Sequence, residues 1–173
     1  MKKVIVKKSG KKGKGLFAGK DFKEGEIILR SDIRKLKKRT LTEVSKLPRK
    51  IQEHADYVGN GKYVIDMSPS SYINHSCEPN IAWRLKAIGK AEAYALRDIK
   101  KGEELNVDYS LTAVDQFDDK GFWKMKCRCG SKKCRKIIIG DFFKLPRTIQ
   151  RKYWKNLPPS IKKKCRSKLR KLR

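Results

Sequence analysis

Ser71-Tyr72-Ile73-Asn74-His75-Ser76-Cys77-Glu78-Pro79-Asn80 sets an amide, an imidazole and a thiol close together, just ahead of a Pro-Asn pair that suits a turn. Further on, Gly102-Glu103-Glu104-Leu105-Asn106-Val107-Asp108-Tyr109 ends an alternating run on a tyrosine, and Cys127-x-Cys129-x4-Cys134 gathers three more thiols. Tetrahedral zinc usually takes four ligands, so this cluster needs one from elsewhere. Cys77 and Cys165 are the candidates, and His75 offers a nitrogen instead. Cysteines clustered at uneven spacing suit a reducing compartment and a metal better than a disulfide framework. Four protein ligands leave no open position, so the site reads as structural.

The chain has 173 residues, with 46 Lys+Arg against 18 Asp+Glu, a net charge of +28, and 38% hydrophobic residues. That length suits one compact domain and excludes two large ones. No apolar run approaches the ~20 residues of a membrane span. The lysine-rich opening has only Val4-Ile5-Val6 between its lysines, so neither a signal peptide nor an anchor is expected. The expected location is the cytoplasm or nucleoid, or the nucleus of a eukaryotic or viral host, without secretion or membrane attachment. Residues 1–14 carry +7, residues 30–50 carry +7 and residues 144–173 carry +13, so the remaining body is almost neutral. A basic excess of this size attracts polyanions, and the arm, the internal stretch and the tail are expected to hold nucleic acid without sequence preference.

The body reads as short strands with turn punctuation: Val4–Val6, Glu26–Leu29, Tyr63–Asp66, Ile81–Leu85, Glu92–Leu96 and Leu105–Asp108. This predicts small sheets rather than a βαβ array. Two stretches echo each other, Ala18 to Ile27 and Ala95 to Glu104, each reading as a strand, a Gly-containing turn and a second strand. A second echo links Lys46-Leu47-Pro48-Arg49-Lys50-Ile51-Gln52 to Lys144-Leu145-Pro146-Arg147-Thr148-Ile149-Gln150, and predicts helices at about 48–56 and 146–155. After Pro158-Pro159 a basic helix carries Ile161, Cys165, Leu169 and Leu172 on one narrow stripe, which predicts docking on the body.

In this order, the Ser71–Asn80 block, the Gly102–Tyr109 block and the Cys-x-Cys-x4-Cys cluster resemble the SET-domain protein lysine methyltransferases with a post-SET zinc segment. Lys12-Gly13-Lys14-Gly15-Leu16-Phe17 is similar to the family's opening glycine motif. The resemblance covers about residues 4 to 140. It implies a mainly β fold with short helices, built of small twisted sheets in which the two signature segments form a pseudoknot. The implied organisation is a SET domain over 1–110 with a variable insert at about 30–60, a post-SET zinc segment over 111–140 and a basic helical extension over 141–173. By position, Asn74, His75 and the backbone of Lys12, Gly13 and Lys14 match residues that bind S-adenosylmethionine. Tyr109 matches the tyrosine at the methyl-transfer centre, also in contact with the cofactor, and Cys77 matches the fourth ligand of a structural Zn²⁺ held with Cys127, Cys129 and Cys134.

Methyl transfer from a sulfonium to an amine is an in-line displacement with a neutral leaving group, so positioning carries much of the barrier reduction. The amine must be neutral, whereas an unperturbed lysine has a pKa near ~10.4, so an apolar channel suits the reaction. The tyrosine oxygen and backbone carbonyls can face the electron-poor methyl group. Two positions depart from the family pattern: Ser71, where many members have arginine supporting the cofactor loop, and Val107, where Phe or Tyr is frequent. The smaller Val107 predicts room for di- or trimethylation, with Tyr57 as a second channel residue. Asp115, Asp118 and Asp119 are candidates for holding flanking basic residues of a lysine-rich substrate. The basic insert would repel a free basic peptide, which points to a nucleic-acid-associated protein as substrate. The competing reading is a nucleic-acid-binding module that keeps the fold without catalysis.

Overall fold

The computed structural model describes residues 2–10, 13–111, 113 and 124–172. Its architecture is a set of small sheets: β1 (Val4–Lys8) with β2 (Lys14–Ala18), a three-stranded sheet β3 (Ile27–Asp32), β8 (Lys90–Ala95) and β7 (Ile81–Ala87), and the hairpin β4 (Ala55–Gly59)–β5 (Lys62–Ile65). A short parallel pair joins β6 (Asn74–His75) to β9 (Asn106–Val107), and a last hairpin joins β10 (Lys124–Lys126) to β11 (Ile137–Ile139). Helices are short: α1 (Leu41–Ser45), α2 (Arg49–Gln52), α3 (Arg147–Tyr153), α4 (Pro159–Lys164) and α5 (Arg166–Arg170). The expected fold class is therefore the one observed.

The parallel pair positions the site. Asn74 faces Asn106 and His75 faces Val107, while Phe17 bridges Glu104 and the Leu105 amide donates to the Leu16 carbonyl. The 104–107 segment is thus clasped between β2 and β6, the side-by-side placement of the two signature segments that the expected pseudoknot requires. Leu16, Phe22, Ile81, Ile99 and Leu105 are fully buried in the core beneath it.

Both sequence echoes prove structural, in a form the sequence reading did not anticipate. The Ala18–Ile27 and Ala95–Glu104 stretches lie between strands as expected, but they pair with each other instead of folding as separate hairpins. Phe22 and Ile99 exchange backbone hydrogen bonds at 2.9 Å each way. Asp21 accepts the Lys101 amide and Asp98 accepts the Glu24 amide, so the two halves cap each other reciprocally. In the second echo, Gln52 and Gln150 each donate to the leucine carbonyl two residues before the helix, at 2.7 Å in both cases.

The first of these helices is shorter than the expected 48–56. It stops at Gln52 because the His54 carbonyl accepts the Asp66 amide and Ala55 begins the β4–β5 ladder. The second ends at Tyr153 and tightens into a 3₁₀ turn at Trp154–Asn156. The basic helix bends at Cys165 (φ −105°, ψ 24°), yet Ile161, Cys165, Leu169 and Leu172 all stay buried. With Phe142, Leu145, Tyr153 and Leu157 they form a second apolar core against Ala82 and Leu111, and Asn156 donates to the Tyr94 hydroxyl at 2.8 Å. Tyr57 and Ile88 pack against the same cluster. Strands β2, β4, β6, β10 and β11 lie outside the runs read as strands: the helix reading reached into the first two residues of β4, and β10 is mostly polar. No described helix is long and apolar enough to cross a membrane.

Candidate active site and metal centre

Asn74 leads β6 and joins three segments. Its amide nitrogen donates to the Lys14 carbonyl (3.1 Å) and to Glu104 Oε1 (2.7 Å), and Ser9 donates to the same carboxylate oxygen at 2.7 Å. Gly15 lies against this junction: a Cβ there would stand 2.7 Å from Glu104 Oε1, 2.9 Å from Ser9 Cβ and 3.0 Å from Asn74 Nδ2. Gly15→Ala is therefore expected to part β2 from Asn74 and lower Tm. An unchanged Tm in that variant would show that the junction gives way without cost. Gly13 adopts φ +79° with open space where a side chain would stand, leaving bare backbone beside Lys14 for a ligand to approach. Lys12 and the acidic candidates Asp115, Asp118 and Asp119 lie outside the described residues.

The His75 imidazole is turned inward, only 8% exposed. Its Nδ1 accepts the Tyr109 backbone amide at 3.2 Å and its Nε2 lies 3.4 Å from the Cys77 sulfur. This pattern assigns the tautomer with the proton on Nε2, donating to sulfur. Any cofactor contact at this residue thus falls to its backbone. Asp108 stands 3.7 Å from Nδ1 and accepts Arg135 Nη2 at 2.6 Å, while the Arg135 amide donates to the Cys77 sulfur at 3.3 Å. The sequence reading gave no role to Glu104, Asp108 or Arg135. Their signal was position alone: Glu104 and Asp108 lie inside the tyrosine block and Arg135 follows Cys134.

The sulfurs of Cys77, Cys127, Cys129 and Cys134 all lie within 4.8 Å of one another, with Cys77 and Cys127 3.7 Å apart. A tetrahedral zinc with bonds of about 2.3 Å spaces its sulfurs about 3.8 Å apart, so this thiol set fits the ion. Cys165, the other candidate, is buried in the second core.

Tyr109 donates its hydroxyl proton to the Ile73 carbonyl at 2.8 Å. Burial, reinforced by the negative charges of Asp56 and Glu104, pushes its pKa up to about 12, so at neutral pH it is a phenol whose oxygen can accept. Tyr109 and Val107 line a cavity of about 650 Å³ together with Ile73, Tyr57, Tyr63 and Trp83. Both expected channel residues, Tyr57 and Val107, are therefore in its wall. The insert contributes Glu53, His54 and Asp56, whereas none of its basic side chains is in the lining. Ser71 lies here too, its hydroxyl 3.0 Å from His54 Nδ1.

Asp56 lines the cavity and is itself exposed, with Asp66 close by. Desolvation and the neighbouring Asp66 push its pKa from the ordinary 3.8 up to about 6. A carboxyl with a raised folded-state pKa favours folding below its ordinary value, and that contribution is lost as pH rises through about 6. Asp56→Asn is thus expected to raise Tm at about pH 7.5 but not at about pH 4. Equal shifts at both would contradict the origin assigned to the raised pKa.

A SET domain family model matches residues 13–110. Among curated relatives, a histone-lysine N-methyltransferase of Arabidopsis thaliana is 34% identical over 142 residues, covering 77% of this chain and 8% of that protein. Histone-lysine N-methyltransferase trithorax of Drosophila virilis is 34% identical over 141 residues, covering 73% and 3%. Histone-lysine N-methyltransferase 2B of Homo sapiens is 29% identical over 150 residues, covering 78% and 5%. The chain thus spans less than a tenth of the length of these relatives.

Proposed function

Because this chain belongs to the SET-domain family, we propose that it transfers methyl groups from S-adenosylmethionine to lysine side chains of proteins. The observation that carries the reading is the Tyr109 hydroxyl, held by the Ile73 carbonyl beside Val107 in the wall of the cavity. The cofactor supplies an electrophilic methyl group on a sulfonium. The backbone of Lys12, Gly13 and Lys14, the Asn74 side chain and the His75 backbone hold it. Tyr109 would present its oxygen as an acceptor to the electron-poor methyl and orient the amine. The aromatic and aliphatic wall disfavours the ammonium form of the target lysine. Cys77, Cys127, Cys129 and Cys134 would hold a structural Zn²⁺, and the Cys77 sulfur beside His75 Nε2 would tie that cluster to the residue behind Tyr109.

Incubation with labelled S-adenosylmethionine and a panel of histones and other basic proteins tests the assignment. Absence of label on every protein would overturn it in favour of a non-catalytic nucleic-acid-binding module. Val107 is buried in the wall, and its small side chain leaves room beside the amine. Di- or trimethyl-lysine is therefore expected as product, and Val107→Tyr should stop at monomethyl-lysine by mass spectrometry. A wild-type product that stops at monomethyl-lysine would count against this role.

The substrate we propose is a nucleic-acid-associated basic protein. Among the described residues from Lys144 to Lys171, every basic side chain except the half-buried Lys162 is exposed, and the sequence there carries no acid. Such a face offers point charges to phosphates without base readout. Nuclease treatment of a lysate should therefore change which proteins are methylated. An unchanged target set would sink the nucleic-acid link while leaving the methyltransferase reading intact.

A further inference from the structure

The cavity beside Tyr109 has the opposite sign of charge from the molecule around it. Its acidic lining residues are Glu53, Asp56 and Asp66, and Lys90 is its one basic lining residue among those described. Lys90 lies 3.8 Å from Asp32. Asp66 is fully engaged, accepting the Ser68 amide at 2.8 Å and the Ser68 and Ser70 hydroxyls at 2.9 Å. Asp56, on β4, differs: among the described residues no hydrogen bond or salt bridge reaches its carboxylate, and its close charged neighbour is the like-charged Asp66. In a chain of net charge +28, Glu53 and Asp56 are lining carboxylates that no cation pairs among the described residues, and Asp56 is the one set beside a like charge.

Resting on the methyltransferase reading, we infer that Asp56 is a specificity-determining residue that pairs with a second cationic side chain of the substrate, next to the lysine that is methylated. The target lysine itself is a poor partner. It must react as a neutral amine, and a carboxylate beside it would hold its proton in place. A neighbouring arginine stays charged throughout, and its planar fork matches a carboxylate in two hydrogen bonds. Docking such a side chain neutralises the Asp56 carboxylate and offsets its repulsion by Asp66. The preferred substrate is therefore a peptide segment with arginine close to the target lysine, and the basic insert does not oppose it because none of the insert's cations lines the cavity.

The test uses the full chain and peptides with a single lysine in a neutral context, carrying arginine or the isosteric, uncharged citrulline at each neighbouring position in turn. At one position the wild type should show a KM about threefold to fivefold lower for arginine, the scale of one exposed charge pair. Asp56→Asn should bring that ratio close to one, and Asp56→Glu should restore part of it. Methylation by the wild type with no arginine preference anywhere, or a preference that survives in Asp56→Asn, overturns the inference alone. Failure of the wild type to methylate any peptide or basic protein overturns the methyltransferase reading, and this inference with it.

Discussion

Tyr109→Phe should lower kcat by about 10²–10³-fold, the usual cost of removing one preorganised polar group from a reacting centre. The variant deletes one oxygen. It removes from the folded protein the hydrogen bond to the Ile73 carbonyl, worth about 1 kcal/mol. The ring keeps its tilted contact with His75 at 5.3 Å between centroids, so the backbone of β9 should remain in place. Folding and cofactor affinity are thus expected near wild type while turnover collapses, a split that calorimetry and single-turnover transfer of label would resolve. Equal transfer by both proteins would strip Tyr109 of its role. Loss of cofactor binding in step with activity would make it a binding residue only.

Removal of zinc is expected to be more damaging, because the metal cluster and the tyrosine share a wall. Cys77 lies two residues beyond His75, whose Nδ1 holds the Tyr109 amide, and Arg135 contacts both the Cys77 sulfur and Asp108. Structural zinc contributes about 10–16 kcal/mol in small zinc-dependent peptides, so four clustered thiols without it have little to hold them together. Cys129→Ser, or a strong chelator, should release the metal, lower Tm and abolish transfer even with saturating cofactor. Cys165→Ser is the control. It lies in the second core and should lose stability through a buried hydroxyl while retaining zinc. Chelated protein with unchanged Tm and turnover would show that this cluster does not support the site.

The two signature blocks and the cysteine spacing were legible because each is a local string, and together they indicated the fold class. Which residues support them was not legible. Glu104 joins Ser9 to Asn74 across segments far apart in sequence, and Arg135 reaches Asp108 across the zinc segment. Such partners are fixed by tertiary placement, for which no local spacing exists. The four-residue α2 was overread for a similar reason: propensity favoured a longer helix, but the Asp66 amide and the β4–β5 ladder claimed the next residues. The charge reading failed at its boundary. Residues 30–50 net +7, but the insert continues through Glu53 and Asp56, and these two acids line the cavity while none of its lysines or arginines does.

The parallel pairing of β6 with β9 also bears on how the molecule comes into being. Almost every contact that shapes the site joins distant stretches of chain: β3 with β8, Phe17 with Glu104, Cys77 with Cys127, and the residues around Leu172 with Ala82. Chains dominated by such pairings fold in about milliseconds to seconds, because loop-closure entropy opposes each contact before its partners can reward it. During synthesis the β6 signature emerges well before β9, and both precede the zinc segment and the helices that cover the outer face. A nascent chain therefore completes the surroundings of Tyr109 only once Arg135 and the helices packed on Leu111 have been made, which makes the wall around that tyrosine a late product of folding.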